Sequence, residues 1–261
     1  SMPPTNTIRQ VDDHLQFNKF VLTGYRPKQN TTQSVYSIFQ IHNETGNIWA
    51  HLLAFLYFAY NLFHPWQQAP LFFSCAVIPC MVCMTASVGY HTLMSTSDKK
   101  FYDKLLFIDY MSVFNTMIWP EVMVIGWTFS CDKPMQRICL TSYLIISSAM
   151  LVLAWRAKAV VSRLVPFAVL SGIRIVVLLV RAGIGHPCSL AAWFYLAVEV
   201  LGSAGGVLNG TRLPERWLPG RFDLWLNSHQ IMHVFTAGAQ LCILWGGGAD
   251  YRHYLAHPCP A

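Results

Sequence analysis

With 261 residues, 54% of them hydrophobic and only 11% charged, and a mean hydropathy of +0.38, the chain is too apolar for a soluble domain of its size. A formal charge of +6 would suit a nucleic-acid binder, but the basic residues sit in short stretches between apolar runs and no nucleic-acid motif accompanies them. The expected class is an all-α integral membrane protein.

The chain opens on Ser1-Met2, which reads as the remnant of a removed tag, and no secretory signal pattern follows, so the first span is expected to direct insertion. Residues 1–30 are polar and mixed, an expected cytosolic segment. Ser34 to Ile41 carries the periodicity of a short helix lying on the membrane, within a lead-in stretch of residues 31–46. A bilayer core about 30 Å thick takes about 20 apolar residues per helix. Seven such runs are expected: Asn47 to Phe63, Leu71 to Leu93, Leu105 to Phe129, Ile138 to Ala157, Leu164 to Leu179, Leu190 to Leu208 and Leu224 to Trp245. Residues 47–247 thus form one seven-transmembrane helix bundle, with residues 248–261 as a tail. Connections of roughly 6 to 15 residues leave no space for an inserted soluble domain.

Thirteen basic residues share one side: Arg9, Lys19, Arg26, Lys28, Lys99, Lys100, Lys104, Arg156, Lys158, Arg163, Arg212, Arg216 and Arg221. Only Lys133, Arg137, Arg181 and Arg252 fall on the other. The positive-inside rule then places the N-terminus in the cytosol and the C-terminus outside or in a lumen. The sequons at Asn30, Asn43 and Asn209 face the cytosol and should carry no sugar. Cys131, Cys188 and Cys259 fall on the far side, where one disulfide among them is open; the other cysteines read as small hydrophobes. Most tryptophans lie near span ends and read as an interfacial belt. Pro79 and Pro120 fall inside spans and should kink them.

Ionisable and metal-ligating residues inside a membrane are costly and point to function. With the N-terminus inside, the second span ends near His91 and the third meets Asp109 one turn in. His229 and His233 lie about 8 to 14 Å along the seventh at 1.5 Å per residue. All four therefore share the cytosolic third of the bundle. His229 and His233 are four apart and project from one helix face, the same spacing that relates Ser87 to His91. Three histidines leave one tetrahedral position open, the pattern of a catalytic zinc. A buried hydrogen-bonded polar cluster is the competing account, and composition does not separate the two. His51, a turn into the first span, reads as a satisfied core histidine or a fourth ligand. Arg174 and Glu199 fall mid-span as a buried pair, with Glu121 as an alternative partner; their functional reading is contact with a substrate head group. Glu44, Asn43 and Asn47 read as capping the first span, and Glu215, Arg216 and Asp223 as fixing the loop before the seventh.

Arg212-Leu213-Pro214-Glu215-Arg216, Pro219-Gly220-Arg221-Phe222-Asp223 and Ser228-His229-Gln230-Ile231-Met232-His233 resemble the last-span signature of the progestin and adipoQ receptor family. His42-Asn43-Glu44-Thr45-Gly46-Asn47-Ile48-Trp49-Ala50-His51 and Ser87 with His91 match its other motifs, and His14 to Pro27 narrows the likeness to one member. The resemblance spans the chain. It implies a seven-helix receptor-like fold of inverted topology, with zinc held by His91, His229 and His233. The family is also similar to the alkaline ceramidases, which by that likeness places Asp109 and Ser87 in or beside the zinc site as catalytic groups.

Two functions follow as expectations. One is a zinc-dependent lipid amide hydrolase, with ceramide as substrate. The other is a receptor or regulator in which zinc is structural and the ligand is a lipid, fatty acid or sterol-like molecule. The short, charge-poor outer loops give a soluble protein hormone little to grip. A transporter lacks the expected inverted repeats. Short apolar runs suit the thinner early secretory membranes, favouring the Golgi over the plasma membrane.

Overall fold

The computed structural model describes residues 5–61, 73–157 and 160–259. Among these residues the chain forms eight α-helices and no strand, with one isolated bridge between Asn6 and Tyr25. The helices are α1 Thr31–Ser37, α2 Thr45–Asn61, α3 Ile78–Leu93, α4 Lys99–Thr128, α5 Lys133–Arg156, α6 Val160–Gly183, α7 Ser189–Thr211 and α8 Ser228–Ala256. Asn30 and Gln33 close a capping box on α1, each side chain accepting the other's backbone N–H. Asp132 caps α5 ahead of Pro134 in its first turn. A π-helical turn, Phe73–Val77, leads into α3, where Pro79 lacks the N–H that a regular helix would use.

Among the described residues, five stretches are long and apolar enough to cross a membrane: Ser74–Leu93, Lys133–Arg156, Ser162–Gly183, Ser189–Thr211 and Ser228–Ala256. The chain is a multi-pass membrane protein. The two remaining expected spans coincide with α2, described over 17 residues, and α4, whose apolar run is diluted by Asp109, Asn115 and Glu121. The expected end of the first span at Phe63 and start of the second at Leu71 lie outside the described residues, as do Trp66 and Lys158. The stretches in α5, α6 and α7 bury only 17%, 11% and 22% of their residues within the protein, against 56% for those ending α3 and forming α8. Ile138, Ile145 and Val152 on α5 and Leu164, Val176 and Leu179 on α6 stay exposed, apolar surface that lipid covers without cost.

The chain divides into two compact units. The first takes residues up to Tyr57, Cys83–Tyr110 and Leu201–Gly238. Within it, the polar N-terminal segment is built in by long-range polar contacts. Asp223 accepts from the N–H groups of Leu22 and Thr23 and from the Thr23 hydroxyl. Glu215, fully buried, accepts from the Asn18 amide and from the N–H and hydroxyl of Ser228. The buried Arg26 guanidinium donates to Ser37 Oγ and to the carbonyls of His91 and Thr92. Burial, opposed by the nearby Glu44 charge, draws Arg26 down to about 10, so it remains a cation at neutral pH. Gly24 adopts φ +84, and an added Cβ would meet Leu224 Cδ2 at 2.6 Å, so both backbone and space require glycine there.

The second unit takes the described parts of Phe58–Val82, Met111–Val200 and the chain from Ala239 onward. A disulfide joins Cys131 to Cys259, leaving Cys188 as a buried thiol. Arg181, counted above among the loop charges, is buried inside α6 and paired with Asp250 of α8. The tyrosine hydroxyl of Tyr195 donates to the second oxygen of Asp250 at 2.9 Å.

Candidate metal centre

His91 closes α3, and His229 and His233 occupy successive turns at the start of α8. One ring nitrogen from each lies within 4.8 Å of the other two, a separation that one ion can bridge. His91 is 0% and His233 3% exposed, so the nitrogens are withdrawn from water.

The surroundings orient all three rings and assign the tautomers of His91 and His229. His91 Nδ1 donates to Glu44 Oε2 at 2.8 Å, and Asn47 donates to the same oxygen at 2.6 Å. His229 Nδ1 lies 3.2 Å from Asn209 Oδ1, an acceptor at the end of α7. His233 Nδ1 lies 2.9 Å from His51 Nε2. Each Nδ1 therefore has an outer partner, the usual way in which a metal-binding imidazole is oriented. His91 Nε2 is buried with no hydrogen-bond partner. The Nε2 atoms of His229 and His233 stand 3.1 Å apart. Protonated on Nδ1, His233 would face His229 with a lone pair that a cation between them relieves; protonated on Nε2, it donates to His229 instead. The orphaned His91 nitrogen beside two closely spaced imidazole nitrogens fits a divalent metal ion. Three imidazoles suit zinc, copper, iron or nickel by donor type.

Asp109 on α4 lies beside Ser87 and within electrostatic reach of His91, and Ser87 stands one turn before His91 on α3. Ser87, 1% exposed, holds a buried hydroxyl that stops short of a formed hydrogen bond. A small cavity reaches the site's other flank, lined by Asn18, Asn43, Glu44, Asn47, Asn227 and His229 among others. His51 takes the role of an outer partner, with Thr236 Oγ1 3.4 Å from its Nε2. Glu44, read from sequence as a helix cap, and Asn209, read only as part of a sequon, are the contacts the sequence reasoning missed. Arg174 and Glu199 belong to the second unit, where Arg174 Nη2 meets Glu199 Oε1 at 2.7 Å.

The profile of the family described as haemolysin-III related matches residues 39–244, a range that contains all three histidines. The chain belongs to this family. Among its relatives, progestin and adipoQ receptor family member 4 of Mus musculus is 38% identical over 259 residues, covering 95% of this chain and 93% of that protein. The Homo sapiens counterpart is 37% identical over the same shares. The adiponectin receptor protein of Drosophila melanogaster is 29% identical over 86% of this chain and 54% of its own length. The progestin and adipoQ receptor resemblance carried by the histidine motifs is thus upheld along nearly the whole chain. Membership in a receptor-named membrane family accords with a lipid or small-molecule ligand.

Proposed function

We propose that this protein is a zinc-dependent intramembrane amide hydrolase of the ceramidase type, cleaving ceramide to a sphingoid base and a fatty acid. The observation that carries the reading is the unpartnered Nε2 of His91, set beside His229 and His233 with Asp109 and Ser87 adjacent. Bound zinc would supply Lewis-acid polarisation of the amide carbonyl and acidification of water. The chain's own groups do the rest. Asp109 accepts the proton that the attacking water loses and returns it to the leaving amine as the C–N bond breaks. Ser87 donates its hydroxyl hydrogen to the carbonyl oxygen as negative charge builds there. Glu44, Asn209 and His51 hold the three rings through their Nδ1 atoms. Arg174 and Glu199 take the weaker role of contacts for a polar head group.

The same reading counts α2 and α4 as membrane spans, giving seven, with the N-terminus cytosolic and the centre near the cytosolic face. The concentration of Lys and Arg in the segments that lead into α2, α4, α6 and α8 supports that orientation. A Golgi or plasma-membrane location follows, with ceramide entering sideways from the lipid.

A receptor or regulator of ceramide metabolism, with zinc in a structural role, is the second reading. It is favoured by the receptor names of the relatives. The deciding experiment is sphingosine release from ceramide by purified, zinc-loaded protein, wild type against His233→Ala at matched folding. Release that vanishes in the variant supports the hydrolase; no release from a range of ceramides, with zinc confirmed present, moves the assignment to the receptor.

A further inference from the structure

In the second unit, Glu121 of α4 places Oε2 4.0 Å from Arg174 Nε, while its other oxygen, Oε1, is buried without a hydrogen-bond partner. Arg174 commits Nη2 to Glu199 Oε1. Two carboxylates thus share one guanidinium, leaving one negative charge in excess when all three are ionised. Arg181 is itself committed to Asp250. A cleft lies against Glu121, Arg174 and Glu199, walled by Val124, Leu178 and Val198 and with room for about one water-sized group. Glu121 is only 4% exposed, and an acceptor so withdrawn is costly unless something donates to it.

We propose that this cleft binds the protonated primary amine of a long-chain amphiphile. An alkylammonium head is water-sized, carries three N–H donors and no acceptor, and cancels the excess charge. Glu121 Oε1 accepts one of its N–H groups, and the alkyl chain extends out of the cleft into lipid. A water molecule would donate a hydrogen bond but supply none of the positive charge that lets both carboxylates stay ionised together. An inorganic cation needs a full shell of oxygens, which apolar walls do not offer. The sphingoid base released by the proposed cleavage belongs to this class, and on that point alone the inference rests on the proposed function.

The test uses full-length protein in nanodiscs, with dodecylamine as the probe and dodecanol as the uncharged control. Dodecylamine should bind saturably and raise the unfolding temperature, and dodecanol should not. Glu121→Gln should weaken amine binding roughly ten-fold or more. Val198→Phe, which fills the cleft, should also remove it and covers the case of a poorly folded Glu121 variant. Equal binding of amine and alcohol, equal binding by wild type and Glu121→Gln, or displacement by sodium chloride but not by choline chloride, would each overturn the assignment. Treatment with a metal chelator should leave amine binding intact while abolishing ceramide hydrolysis, so failure of the two claims is read separately.

Discussion

Glu44 Oε2 lies 2.8 Å from His91 Nδ1, and the same carboxylate oxygen receives the Asn47 amide. The carboxylate fixes the ring so that the buried Nε2 points away from it, and it makes that nitrogen a better donor to a cation. Replacing an outer partner of this kind costs roughly 10- to 100-fold in metal affinity. Glu44→Leu should show a loss in that range by competition with a chelator. Glu44→Gln keeps an acceptor oxygen without the charge and should recover part of the loss; equal effects of the two variants would mean that Glu44 only packs.

His42 predicts a pH dependence. Its Nε2 lies 3.1 Å from the Ser37 carbonyl and its Nδ1 accepts the Glu44 N–H at 3.1 Å, so the folded ring is held neutral. Burial first, and then the Arg26 cation, push it down to about 4. The unfolded chain takes up the proton near its ordinary value of about 6.5. The folded state binds fewer protons between these values, so the contribution is complete above about pH 6.5 and is lost as pH falls toward 4. Its size is on the order of 3 kcal/mol. Unfolding temperatures at about pH 7.5 and pH 5 should therefore fall more for wild type than for His42→Gln.

The grouping of His91, His229 and His233 was legible because Ser87 with His91 and His229 with His233 are each four apart and so share a helix face. The outer partners are set by tertiary placement. Asn209 and Glu44 are distant in sequence from His229 and His91, so no local pattern announces them. How the N-terminal segment packs was hidden for the same reason. Its polar composition suits water, and only the fold reveals that Asn18 and Thr23 are partners of Glu215 and Asp223. Arg181 looked like a loop charge because it follows an apolar run, yet Asp250, 69 residues later, draws it inside.

Asp223 predicts how firmly that segment is held. Its carboxylate receives the Leu22 N–H at 3.0 Å, the Thr23 N–H at 2.8 Å and the Thr23 hydroxyl at 2.7 Å. Hydrogen bonds to a charged acceptor contribute about 1.5–3 kcal/mol each and do not add fully. Asp223→Ala should cost roughly 2–4 kcal/mol and open the chain near Gly24 to protease. Asp223→Asn retains one acceptor oxygen and should fall between. Protease resistance unchanged in the alanine variant would show that the segment is held by its apolar contacts alone.

Arg181 and Asp250 make the last prediction. Arg181 is 1% and Asp250 2% exposed, and Tyr195 and Thr128 supply further hydrogen bonds to the pair. Deleting one partner strands the other charge in an apolar interior, at a cost of roughly 3–5 kcal/mol. Arg181→Met and Asp250→Leu should each lower the unfolding temperature sharply. The double variant should be far milder than their sum, since no charge is then left unpaired. A thermal-unfolding cycle over the four proteins measures this directly. Additive losses would mean that each side chain acts through its own neighbours, Thr128 for the arginine and Tyr195 for the aspartate, and not through the pair.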